Sequence, residues 1–147
     1  MAVDVQNEVE IDRPRVDVAT YVANPNNATE WNETVESVEW KTKKSLRVGS
    51  RVTFVGTLLG RRFTYTYEVT ELVPLERLVM RTADGPFAIE TTYTWQDAAP
   101  GATRMTLRSR GQPTSLSSRL TAPLMASAMR RTNRNDLARL KEILEAA

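Results

Sequence analysis

Residues 3 to 12 alternate apolar and polar side chains. Val3, Val5, Val9 and Ile11 fall on one side and Asp4, Gln6, Glu8, Glu10 and Asp12 on the other, the period of a half-buried strand. Asn7 alone breaks the apolar side. Asp12 just ahead of Pro14 predicts a helix start with a capping acceptor, and Val18, Tyr21 and Val22 continue at helical spacing. That helix ends before Asn24-Pro25, because the residue preceding a proline is pushed out of the helical region. Asn26 to Asn32 then reads as one short second helical turn carrying Trp31.

From residue 34 the period changes to two. Strands are predicted at Thr34–Lys41, Arg51–Leu59, Arg62–Leu72, Arg77–Ala83, Phe87–Gln96 and Thr103–Arg110, with turn residues between them. The turns are short, so the strands must be antiparallel neighbours. Sorting positions by parity puts Trp40, Phe54, Gly56, Tyr65, Tyr67, Met80, Phe87, Ile89, Tyr93 and Met105 on one apolar face. Threonines and charges, such as Thr53, Thr66, Arg81, Glu90, Thr92 and Arg108, make up the other, which suits a solvated surface.

A sheet with one wet face must have its dry face covered. The cover comes from the end of the chain, where Met125, Met129, Asn133, Leu137, Leu140 and Leu144 form one helical stripe. Pro123 is expected to start or kink this helix, which would run to Glu145 and be about 34 Å long, with Leu116 to Thr121 as a preceding turn or shorter helical piece. At 147 residues without linker or repeat, the whole chain, 1–147, is expected to be a single domain of the α+β class.

Composition sharpens the chemistry mainly by what it lacks. The chain has no histidine and no cysteine, which removes Ser-His and Cys-His nucleophiles, thiolate chemistry, Cys/His zinc sites and histidine proton shuttles. No metal and no cofactor is expected. The 20 basic residues nearly balance 18 acidic ones, so the basic groups at Lys41, Lys43, Lys44 and Arg47, and at Arg130, Arg131 and Arg134, read as solvated surface rather than a nucleic-acid site. No secretory segment opens the chain and no apolar run approaches the roughly 18 residues of a membrane span, so a cytoplasmic protein is expected, monomeric or homodimeric.

The order strand, two short helices, six strands, long helix resembles the helix-grip fold of the START and birch-pollen-allergen-like superfamily (SRPBCC), in particular its polyketide cyclase/dehydrase-like branch. The resemblance covers nearly the whole chain. It is carried by Val9-Glu10-Ile11-Asp12-Arg13-Pro14, Asn24-Pro25 with Glu30-Trp31-Asn32, Leu46-Arg47-Val48-Gly49-Ser50-Arg51, Glu68-Val69-Thr70-Glu71 with Pro74 and Arg77-Leu78, Gly101-Ala102-Thr103-Arg104, and Asp136-Leu137-Ala138-Arg139-Leu140-Lys141. It implies a curved antiparallel sheet of about seven strands around the long C-terminal helix, enclosing a cavity for a hydrophobic small molecule. It implies no single activity.

The inward face favours binding over catalysis. Its polar members are Asn7, Tyr65, Tyr67, Thr82, Thr91, Tyr93, Ser109 and, from the helix, Asn133, groups that orient a carbonyl or hydroxyl in an apolar pocket. The inward aromatics taken singly read first as core, since core packing is the commoner fate of such a side chain. Asn7 and Asn133 must each find a partner, whether water, the other amide or a ligand, because an unpaired buried amide costs roughly 1–3 kcal/mol. Met125 and Met129 suit a core or a pliable wall. Only Glu36 is a carboxylate in register with an inward run, and its place at a strand start favours a solvated rim position. The sequence therefore predicts a small hydrophobic or polyaromatic ligand held by Asn7, Trp40, Phe54, Tyr65, Tyr67, Met80, Phe87, Ile89, Tyr93, Met105, Met125, Met129 and Asn133. The rivals are a polyketide cyclase or dehydratase, with Glu36 or a tyrosine moving protons, and an interaction domain whose cavity is closed by its own aromatics.

Overall fold

The computed structural model describes residues 3–58, 60–82, 87–113 and 116–147, without the side chains of residues 58, 87, 113 and 116–119. Strand β1 (Val3–Ile11) leads into α1 (Arg15–Val22), a 3₁₀ turn (Pro25–Asn27) and α2 (Ala28–Trp31). Six strands follow: β2 (Val35–Trp40), β3 (Arg51–Leu58), β4 (Arg61–Val73), β5 (Arg77–Thr82), β6 (Phe87–Asp97) and β7 (Thr103–Pro113). Helix α3 (Leu116–Ala146) completes the chain. The strands form one antiparallel sheet in the order β1-β7-β6-β5-β4-β3-β2, so the first strand closes one edge beside the last.

The parity sorting holds through most of the register. Phe54 faces Tyr65, Val52 faces Tyr67, Leu78 faces Tyr93 and Trp95 faces Met105, all on the inner side. A register shift between Val69 and Glu71 resets the phase of β4. Glu71 is thereby left exposed to pair with Arg77, and Leu72 turns back to pack against the core. On the outer side Thr53 and Thr66 are hydrogen-bonded across strands at 2.8 Å, and Thr94 is bonded to Thr106. Thr53, Thr92 and Val79 are nevertheless buried there, on a face flanked by the cross-strand pairs Arg81–Glu90 and Arg108–Asp4.

Two local features differ from expectation. Pro14 itself takes the N-cap position of α1, with φ −60° and ψ 150°, and no side chain caps the helix. Asp12 stands too far upstream to do so, and its N–H instead reaches Glu145 Oε2 on α3 at 2.8 Å. Helix α3 begins at Leu116, not at Pro123, and runs through the proline for 31 residues, about 46 Å. Pro123 is exposed, so its ring stands on a solvent-facing side of the helix.

Helix α3 packs over β1 and β7 and against α2. Its C-terminal half supplies Leu137, Leu140 and Leu144 to the main core, where they meet Ile11, Val18, Trp31, Val69, Leu78 and Trp95. Its earlier turns place Ala122, with Met125 and Met129, against Val3 and Val5.

Gly56 shows how tightly β2 and β3 approach. The Thr57 N–H donates to the Thr34 carbonyl at 3.0 Å beside a register shift in β2. A methyl group on Gly56 would stand 1.7 Å from that carbonyl oxygen and 2.8 Å from the Phe63 ring. Backbone cannot yield as a flexible side chain does, so Gly56→Ala is expected to cost about 3 kcal/mol, read as a lowered denaturant midpoint.

Candidate functional site

Because α3 lies over β1 and β7, the inner face of β3 to β6 is left partly uncovered. A cavity of about 850 Å³ occupies that space. Its wall on the sheet side includes Phe54, Phe63, Tyr65, Tyr67, Met80 and Tyr93, and on the helix side Met125, Met129 and Asn133, with Trp31 of α2 at one end. The rings brace one another: Phe54 and Tyr67 meet edge to face at 5.6 Å, and Trp31 meets Tyr93 edge to face at 6.1 Å.

Polar groups are interspersed in the wall, and two pairs of them are bonded to each other. Asn133 Nδ2 donates to Ser109 Oγ at 3.0 Å, joining α3 to β7. The Tyr67 hydroxyl is hydrogen-bonded to Thr91. Burial pushes the Tyr67 phenol up to about 12 despite that bond, and burial likewise raises Tyr65 and Tyr93 above the ordinary phenol value. These phenols are neutral throughout the physiological range and serve as hydrogen-bonding groups, not bases.

The group with proton chemistry is Asp136, on α3 in the cavity wall and 3% exposed. Its Oδ1 accepts the Glu33 N–H at 2.8 Å, tying the helix to the segment after α2, and Arg139 Nε donates to the Glu30 carbonyl at 2.7 Å in the same tie. Burial pushes the carboxyl up to about 7, with the nearby Glu33 charge adding to the shift and the bond from the Glu33 N–H opposing it. The expectation of no inward carboxylate besides Glu36 is therefore corrected. Asp136 lies seven residues after Met129 and four before Leu140, so it shares a helix face with residues already on the inward stripe.

The predicted ligand-contact residues divide by placement. Phe54, Tyr65, Tyr67, Met80, Ile89, Tyr93, Met125, Met129 and Asn133 line the cavity together. Met105 is fully buried between Val9 and Trp95 and is core. Trp40 donates from Nε1 to Asn26 Oδ1 at 3.0 Å and lines a separate groove of about 450 Å³ with Leu46, Leu72 and Trp95. Asn7 sits opposite Leu107 and is not part of the cavity wall, its buried Oδ1 without a partner among the described residues. The Phe87 side chain lies outside the described residues. Glu36 is exposed, accepts from Thr57 Oγ1 at 3.1 Å and approaches Arg62 Nη1 at 3.8 Å, in the rim position its sequence context favours.

Arg61 and Arg62 also line the cavity and were not anticipated as site residues. The alternation Arg61, Phe63, Tyr65, Tyr67 carries the signal, but only when β4 is begun one residue earlier than its apolar pattern suggests. Among the described residues no group of three or more acidic side chains could hold a metal ion, and no helix is long and apolar enough to cross a membrane.

The sheet, the long helix and the apolar cavity between them define a helix-grip protein of the START/SRPBCC class. The family model for polyketide cyclase / dehydrase and lipid transport matches residues 2–145, and the chain belongs to that family. Similar solved structures include the Zhui aromatase/cyclase from Streptomyces sp. R1128, with TM-score 0.86 and 14% identity over 99% of this chain and 94% of that one. The protein TTHA0849 from Thermus thermophilus gives TM-score 0.83 and 20% identity over 97% of both chains. A START superfamily protein from Mycobacterium smegmatis gives TM-score 0.83 and 12% identity over 98% of both. At these identities the likeness is one of fold. Among curated proteins none matches the sequence.

Asp136 predicts a pH dependence of stability. Between about pH 4 and pH 7 the folded chain keeps a proton that the unfolded chain, with its ordinary value of 3.8, has released. The contribution of this group therefore falls as pH rises through that window and is level above it. Asp136→Asn keeps an oxygen for the Glu33 N–H and carries no charge. The variant should lose this slope and, above about pH 7, exceed the parent by up to about 4 kcal/mol, as read from urea midpoints at both ends of the window.

Proposed function

We propose that this protein binds a small hydrophobic or polyaromatic molecule, lipid- or polyketide-like, in the cavity between the sheet and α3. The observation that carries the reading is the cavity itself, about 850 Å³ of space walled largely by aromatic, methionine and aliphatic side chains with polar groups set among them. A core meant only for stability would be packed to the density of an organic crystal and would leave no such volume. The volume also speaks against an interaction domain whose aromatics close the interior. The family description, which joins polyketide cyclisation and dehydration with lipid transport, agrees with an apolar ligand under either activity.

Asp136 favours one further reading, that of a cyclase or dehydratase. Near neutral pH a share of this carboxyl is protonated in an apolar wall. The neutral acid would give its proton to a ligand hydroxyl, whose C–O bond breaks to release water. The resulting carboxylate would then take a proton from the adjacent carbon as the double bond forms, restoring the acid.

A neutral, environment-sensitive dye such as N-phenyl-1-naphthylamine should bind the native protein with one-to-one stoichiometry and be displaced by fatty or polyaromatic compounds. A cooperatively folded protein that gives no dye signal would end the cavity reading. For the enzymatic reading, Asp136→Asn should retain dye binding and abolish turnover of any accepted polyketide-like substrate; undiminished turnover in that variant refutes it.

A further inference from the structure

The exposed residues of the cavity wall mark its mouth. They are Arg61, Arg62 and Thr64 at the start of β4 and Thr121 and Leu124 on the early turns of α3. The two arginines differ in how their charge is met. Arg62 approaches the Glu36 carboxylate at 3.8 Å. Arg61, across the hairpin from Leu58 and on the same face as Phe63 and Tyr65, makes no ion pair or side-chain hydrogen bond among the described residues.

Inside, the polar partners are neutral or already engaged. Asn133 is bonded to Ser109, Tyr67 to Thr91, and Asp136, the one acidic residue among the described lining, would repel an anion whenever it is ionised. An anionic group drawn into the interior would lose its hydration with no cation to replace it. At the mouth the same group keeps part of its water and meets an uncompensated guanidinium, whose field is strengthened by the apolar walls beside it.

We propose that the ligand is an amphiphile whose apolar body fills the cavity and whose anionic group, a carboxylate or a phosphate ester, is held at the mouth by Arg61. The inference rests on the cavity-binding reading and adds the charge and orientation of the ligand. Leu124, 62% exposed, faces the rim from the helix side and suits the chain segment next to the head group. Arginine fits this position because its planar fork can meet two oxygens of a carboxylate or phosphate at once.

The test uses chain-matched probes competing against the neutral dye: dodecanoate, dodecyl phosphate and dodecanol. Both anions, or one of them, should displace the dye at concentrations about three- to tenfold lower than the alcohol, the range expected for a partly exposed charge-assisted contact. Whichever anion shows the larger preference identifies the head group. The preference should shrink as salt rises from about 0.05 to 0.5 M. With each competitor scaled to the variant's own dye affinity, Arg61→Gln should bring anion and alcohol together, Arg61→Lys should keep most of the preference, and Arg62→Gln should leave it in place. Equal displacement by anions and alcohol in the parent, or a preference that survives Arg61→Gln, overturns the assignment while leaving the cavity reading intact. A parent that does not bind the dye at all overturns both.

Discussion

One helix must cover the dry face of seven strands. Everything distinctive about the molecule follows from that mismatch. An α-helix with its side chains is about 10–12 Å across, whereas strands add roughly 4.8 Å each, so a single helix spans little more than two strands of the sheet. Helix α3 lies over β1 and β7 and is tied to α2 through Asp136 and Arg139. The inner face of the remaining strands must be closed by curvature, by α1 and α2, or by large side chains. Aromatic rings do part of this work and stop short of filling the space. The cavity is thus a consequence of covering geometry, and its apolar character comes from the same alternation that makes the sheet.

Much of this was legible in the sequence because the period-two run is long and mostly unbroken. Alternation placed Phe54, Tyr65, Tyr67 and Tyr93 on one face without knowledge of any contact. What alternation cannot distinguish is an inward side chain over the cavity from one over the helix. Met105 and Leu107 have the same parity on one strand, yet Leu107 lines the cavity while Met105, one step nearer the end of the sheet where it faces Trp95, is core. Asn7 and Trp40 are not cavity residues for a related reason: α3 packs on β1, which carries Asn7, and Trp40 stands at the far end of β2 from Val35, in the separate groove. The continuity of α3 through Pro123 was not legible, because proline is a poor interior helix residue in general and a tolerable one on an exposed face.

Asp136 is the more instructive case. The stripe of Met125, Met129, Asn133, Leu137, Leu140 and Leu144 is only one line on a helix surface, and a buried helix has a face about 100° wide. Asp136 lies within that face beside Leu137, and a carboxylate there looks by composition like a solvated flank. Its burial depends on α2 folding back so that the Glu33 N–H meets it, a contact between residues more than a hundred positions apart. No local pattern predicts such a partner.

The lack of histidine takes on a different meaning once that contact is known. Titration near neutrality does not require imidazole. It requires a group whose charged form is penalised by the right amount, and an apolar cavity wall supplies that penalty to a carboxyl. One hydrogen bond from backbone N–H to Oδ1 limits the shift, and so holds the carboxyl near 7. The same burial raises the cavity tyrosines further from the neutral range, so a single environment turns one acid into a group balanced between its two forms and keeps the phenols as neutral hydrogen-bonding groups. Proton chemistry in this cavity is thereby concentrated on Asp136, at the point where α3, α2 and the apolar interior meet.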